Sequence, residues 1–199
     1  GLLIYFWVYP TYFAGNDKAE ISTDKKSGSD RKVSKKTSLK GIFMNAIILP
    51  GENEKNNLWV MTYRNKGTRY FVNTYIYDPI AKETIKSFET EYQNFPPQTK
   101  LFYINDEVWK ISTETTGIEA DINVYDPLSG EEKMNKRSFT DKFPELQGGI
   151  SKINAYGELP KIDIETKDGR KPVYDLLKDK MYDNYSEYRN SFRDDKTMM

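Results

Sequence analysis

The chain has 199 residues, no cysteine and no histidine, which excludes thiol nucleophiles, disulfides, thiolate–zinc centres, histidine bases and histidine metal ligands. Thirty basic residues balance thirty acidic ones, so no global field draws in nucleic acid, and no nucleic-acid partner is expected. The length suits one domain or a domain with a tail, and the 14% aromatic share, with 15 tyrosines, offsets a modest apolar content because each buried ring removes a large area from water.

Residues 1–15, GLLIYFWVYPTYFAG, carry no charge. The run is shorter than the ~20 residues of a spanning helix. Three readings stand: the end of a membrane anchor, a buried strand built on Ile4 to Tyr9, or residual signal sequence. The aromatic residues around Pro10 resemble a bilayer-surface belt. The expectation is a membrane-anchored protein touching the bilayer through residues 1–15. Its side is unresolved: Lys18, Lys25, Lys26, Arg31 and Lys32 favour a cytoplasmic body by the positive-inside rule, whereas an extracytoplasmic placement is otherwise preferred. Residues 16–40 are charged, rich in Ser, Thr and Lys, and read as a polar linker.

From 41 to 180 the chain repeats itself. Tyr77-Asp78-Pro79 returns as Tyr125-Asp126-Pro127 after 48 residues and as Tyr174-Asp175 after 49 more. Phe95-Pro96 returns as Phe143-Pro144, with Phe192 further on. Ser87-Phe88 matches Ser138-Phe139. Trp59 matches Trp109, and Pro160 is the expected third counterpart. Each unit holds a hairpin, an alternating strand ending at the Tyr-Asp-Pro corner, a turn and a closing strand such as ETIKSFETEY. Two complete units are recognised, with partial ones before Leu58 and after Pro172. The Asp is expected to bond turn N–H groups while Pro presets φ.

The expected fold is all-β: four-stranded antiparallel meander repeats of about 48 residues, stacked as in a β-propeller with an incomplete set of blades. A β-sandwich or an open curved β-array is the alternative. Stacking is expected to bury Trp59, Phe71, Ile76 and Phe88 of one unit against Trp109, Ile122, Val124 and Phe139 of the next. The segments IYDPIAKETIKSF and VYDPLSGEEK resemble the corners of kelch-like and quinoprotein-like propeller blades over roughly residues 43–180. Kelch blades carry a Gly-Gly doublet per repeat, and here only Gly148-Gly149 occurs. The resemblance implies a fold and brings no cofactor or site residue with it.

Residues 181–199 form a tail. Leu177, Met181, Tyr185, Tyr188 and Phe192 fall at helical spacing, which predicts a helix laid on the sheets. Asn184-Tyr185-Ser186 is a glycosylation acceptor pattern.

No phosphate-binding glycine loop and no nucleophile elbow is present. Acidic pairs occur at Glu119/Asp121, Glu131/Glu132, Asp163/Glu165 and Asp194/Asp195, and read as solvated faces. Asp78 and Asp126 read as turn caps rather than calcium ligands. Tyr70, Phe71, Tyr75 and Tyr77 share a hairpin and read as core, with a stacking surface as the alternative. No catalytic, cofactor or metal residue is assigned. The functional reading is a non-catalytic binding domain for a protein or glycan, with self-association through open β edges. The alternative is a carboxylate-dependent glycan hydrolase or lyase. An enzyme should gather two carboxylates with Tyr or Arg in one concavity. A binding module should expose an aromatic or charged surface instead.

Overall fold

The computed structural model describes residues 39–197, apart from 52–55, 116–117, 156 and 158, with side chains described as far as Phe192. The readings placed on residues 1–38 and on Asp194/Asp195 lie outside the described residues or side chains.

The fold is all-β. Strands β1 (Ile42–Leu49), β2 (Asn57–Lys66), β3 (Arg69–Asp78) and β4 (Glu83–Tyr92) form one antiparallel meander. Strands β5 (Thr99–Ile104), β6 (Glu107–Ser112), β7 (Asp121–Tyr125) and β8 (Glu132–Asn135) form a second. Strands β9 (Ile150–Asn154), β10 (Lys161–Thr166), β11 (Val173–Asp175) and β12 (Lys180–Tyr182) form a third. Helix α1 (Lys136–Lys142) follows β8, and α2 (Tyr185–Thr197) follows β12. The segments before Leu58 and after Pro172 thus belong to complete four-stranded sheets, the first supplying edge strand β1 and the second supplying β11 and edge strand β12, and are not extra partial units. The three sheets are open and do not close into a propeller.

The corners explain the repeat. Asp78 Oδ1 accepts the N–H groups of Ile80 (2.8 Å) and Ala81 (2.9 Å). Asp126 Oδ1 accepts those of Leu128 (3.0 Å) and Ser129 (2.7 Å). Asp175 Oδ1 accepts those of Leu177 (2.9 Å) and Lys178 (3.1 Å). A short carboxylate satisfies the same two donors three times. Four residues beyond each Asp the backbone turns left-handed, at Lys82 (φ 57°), Gly130 (φ 65°) and Asp179 (φ 47°). Only Gly takes this conformation without cost; other residues lose about 1–2 kcal/mol. A Cβ on Gly130 would also lie 3.1 Å from Phe88 Cε1. Gly130→Ala should therefore lower unfolding stability by about 2 kcal/mol, while Lys82→Gly should raise it by up to about 1 kcal/mol. Urea titrations of the two variants check the opposite signs.

The sheets are joined by aromatic sockets. Trp59, fully buried on β2, meets Phe88 of β4 edge-on at 5.5 Å. Tyr125, the corner tyrosine of the second sheet, packs on both, at 5.4 and 5.8 Å. The next joint has the same members: Trp109 with Phe139 at 6.3 Å, and Tyr174 on them at 5.7 and 5.1 Å. The expected partners of Trp59 need correction. Trp59, Ile76 and Phe88 meet Tyr125, Val108 and Leu101, whereas Trp109, Ile122, Val124 and Phe139 face the third sheet. Strand alternation is the reason: Tyr125 and Val124 are neighbours on β7 and point to opposite faces. Phe71 is only half-buried, under the Arg64 guanidinium at 5.2 Å.

Two further expectations shift. Strand register opposes Trp59 to Ile76, Trp109 to Val124 and Asp163 to Val173. Asp163, not Pro160, therefore stands in the tryptophan position, because the path from that position to the corner is shorter in the third sheet: Asp163 pairs with Val173, 10 residues on, where Trp109 pairs with Val124, 15 residues on. The helical stripe begins only at Tyr185; Leu177 and Met181 belong to the β11–β12 hairpin.

Helix α1 replaces the outer half of a closing strand. Asn135 caps it: its Oδ1 accepts the Ser138 N–H at 3.1 Å, and Ser138 Oγ accepts the Asn135 N–H at 2.9 Å. This reciprocal box starts a helix where the first repeat, with Lys86-Ser87-Phe88, continues as strand.

Candidate functional site

Three places gather functional side chains. The first is a groove of about 230 Å³ beside the junction of the first and second sheets. Its walls are Phe43 and Met44 of β1 on one side and Phe95, Pro96 and Pro97 of the β4–β5 connection on the other, over Tyr63 of β2. No lining residue carries a formal charge. Phe95 stands edge-on to Tyr63 (5.3 Å, 70°) and to Tyr70 (5.5 Å, 71°). The Asn45 amide donates to the Thr99 carbonyl at 2.8 Å, tying β1 to the far wall. Gly41 sits where a Cβ would lie 2.7 Å from the Tyr63 carbonyl oxygen, so the approach to Tyr63 admits only glycine. The rings are thus held firmly, yet Phe95 remains 58% and Phe43 40% exposed.

The exposure of Phe95 departs from the repeat. Its counterpart Phe143 packs on Phe139 and Tyr174, each at 5.1 Å. Helix α1 shortens the path to Phe143 and folds it onto the socket. β4 instead stays extended to Tyr92 and delivers Phe95 to the groove. Sequence reasoning marked Phe95-Pro96 only as a repeat landmark, and the sole signal for the groove was the second proline, Pro97, which the other units lack.

The second place is a polar seam on the face of the second sheet turned to the first. It holds Lys110, Asp121, Asn123 and Glu132, near Tyr92 and Tyr125. Burial pulls the Lys110 ammonium below its ordinary range, against the opposing pull of Asp121 and Glu132. Burial, then Glu132, Asp121 and Tyr92, pushes the Tyr125 hydroxyl up. The third sheet has Ile164 and Pro172 where the second has Lys110 and Asn123. Glu132 is engaged, accepting from the amides of Asn123 (3.2 Å) and Asn135 (3.1 Å). Asp121 Oδ1 accepts the Ile122 N–H at 2.9 Å. These groups read as packed polar structure rather than an open site.

The third place is a cleft of about 290 Å³ lined by Glu145, Arg170, Pro172 and Asp183. Arg170 is committed to Asp168, with Nη2 and Nε at 2.8 and 2.9 Å from Oδ2. The Arg170 and Thr166 hydrogen bonds hold the Asp168 carboxyl down at about 2. Glu145 Oε2 is buried without a hydrogen-bond partner.

The other acidic pairs scatter. Glu119 pairs with Lys136 at 3.4 Å, Glu131 is exposed, and Asp163 pairs with Lys161. Asp78 and Asp126 cap turns. Of the tyrosine hairpin, Tyr75 is buried, and its hydroxyl donates to the Lys40 carbonyl at 3.3 Å; Tyr70 joins the groove cluster. No group of three or more acidic side chains able to hold a metal ion occurs among the described residues, and no helix there is long and apolar enough to cross a membrane.

The chain matches no protein-family model and no curated protein.

Proposed function

We propose that this chain is a non-catalytic binding module whose contact surface is the aromatic groove, and that its partner is a protein segment presenting an uncharged apolar side chain. The observation that carries this reading is Phe95: its repeat counterpart is packed away, and Phe95 is held outward between Tyr63, Tyr70 and two prolines. An uncharged lining favours an uncharged occupant, and pre-ordered rings bind at low entropic cost. Kinship with propeller blades and a tether through residues 1–15 belong to the same proposal.

The test is peptide display on the full chain, followed by titration of selected peptides against the wild type and Phe95→Ser. A loss of about tenfold or more is expected, the size of a central aromatic contact. Equal binding by the variant would overturn the groove as the surface. Binding of oligosaccharides in place of peptides would overturn the partner class.

A second reading rests on the Glu145 cleft, which does place two carboxylates beside an arginine, as a glycan-cleaving enzyme would need. The commitment of Arg170 to Asp168 weighs against it. Glycan turnover that disappears in Glu145→Gln would move the reading to this cleft.

A further inference from the structure

We infer that the outer edge of β4 is a strand-addition site, and that its partner is an extended protein segment in which basic and apolar side chains alternate. An edge strand offers unpaired N–H and C=O groups to any strand that reaches it, so native sheets shorten, bend or cover their edges. Two of the three outer strands are shortened in this way. β8 has four residues and passes into α1. β12 has three and leads to α2, which is anchored by Tyr188, only 2% exposed, packed on Val173 and edge-on to Tyr182 at 5.5 Å. β4 runs for ten residues, and among the described residues it pairs only with β3.

The guards that β4 does carry lie near its start. Its register with β3 skips Ile85, a local bulge. Lys86 follows and donates to the Ser129 carbonyl of the second sheet. From Ser87 to Tyr92 the register is unbroken, and the stretch SFETEY contains no lysine and no proline. Ser87, Glu89, Thr90 and Glu91 are exposed there, and Phe88 and Tyr92 half-buried.

The two side-chain rows of this stretch select the occupant. Phe88, Thr90 and Tyr92 lie opposite Thr74, Val72 and Tyr70 and share the face of Trp59, turned to the second sheet. Ser87, Glu89 and Glu91 share the other face. Glu89 is bonded to Arg64 of β2 at 2.8 Å, and Glu91 to Arg69 of β3 at 3.0 Å. Both arginines come from strands further in, so the carboxylates form the outermost row. A strand added outside β4 meets them first. Basic residues there continue the Arg–Glu alternation, because opposite charges on neighbouring strands stabilise and like charges destabilise. Apolar residues on the other face extend the row of Phe88 and Tyr92. A second copy offering its own β4 fits less well, since it brings the same excess of glutamate, three against one lysine.

In this mode main-chain bonds give affinity and alternate side chains give specificity. The test titrates the full chain, by fluorescence anisotropy, with labelled peptides of about eight residues, a usual strand length. One alternates Lys and Val and one alternates Glu and Val. Two more are the Lys-Val peptide N-methylated at every second residue, in either phase. The Lys-Val peptide should bind and the Glu-Val peptide should not. At least one methylated form should fail, because its donors towards β4 are gone. Glu89→Lys with Glu91→Lys should weaken the Lys-Val peptide by about fivefold or more and admit the Glu-Val peptide. Phe95→Ser should change none of this, so the edge and the groove stand or fall separately. No binding of the Lys-Val peptide overturns the inference. So does binding that survives both methylations, or equal binding by the folded double variant. If that variant unfolds, seen by near-ultraviolet circular dichroism, the methylated peptides on the wild type decide. A mass that rises with concentration in light scattering, and is made constant by the same two substitutions, would overturn the partner class in favour of a second copy.

Discussion

Trp59→Ala is expected to cost about 3–5 kcal/mol of unfolding free energy, the range for deleting a large aromatic side chain from a packed core. Trp59 is fully buried and is the shared wall of the first joint, touching Phe88 of its own sheet and Tyr125 of the next. Its removal leaves a void between two stiff sheets that cannot collapse inward without breaking their ladders. Trp109→Ala, in the second joint, should fall in the same range. A double-mutant cycle of Trp59→Ala with Tyr125→Ala should show a coupling of about 0.5–1.5 kcal/mol, the extra worth of an aromatic pair. Denaturant unfolding measures both. A loss under about 1 kcal/mol would mean that the sockets do not hold the sheets together.

Alkaline pH should open the same joints. Free tyrosine ionises near pH 10. Burial, aided by Asp175, pushes the Tyr188 hydroxyl up to about 12. Burial pushes Tyr125 and Tyr174 up as well, and Tyr174 also donates its hydroxyl hydrogen to Asp179. The unfolded chain therefore loses these protons first, and deprotonation favours unfolding. The tyrosine contribution should be fully present below about pH 10 and disappear as pH rises towards 12 and beyond. Circular dichroism followed alongside tyrosinate absorbance checks this. Ionisation of all tyrosines near pH 10 with the fold intact would contradict it. Loss of α2 should come early, since Tyr188 is its anchor and its hydroxyl is held less strongly than those of Tyr125 and Tyr174.

The repeat was legible because its marks are local. Asp78, Asp126 and Asp175 each bond N–H groups two and three residues away, so the corner is written in four consecutive residues. Strand alternation is equally local: on β10 it sets Ile162 and Ile164, both buried, opposite Asp163 and Glu165. The helix α1 was not foreseen, because Ser138-Phe139 looks like Ser87-Phe88. Only the Asn135–Ser138 box, a reciprocal pair three residues apart, separates them. The groove was missed for a different reason. Tyr63, Tyr70 and Phe95 lie on separate elements, and no spacing along the chain brings them together.

The sequence by itself determined the all-β class, the four-stranded unit, its period and its corner, since each follows from turn chemistry and two-residue alternation within about 50 residues. The tertiary structure alone decided what the aromatic residues do. Trp59 and Trp109 became sockets, Tyr125 and Tyr174 became knobs, Phe143 was packed and Phe95 left out, and Tyr188 came to cover the last face. These are choices between repeats. They depend on which faces of separate sheets meet, and burial energy is settled there, between segments far apart in the chain.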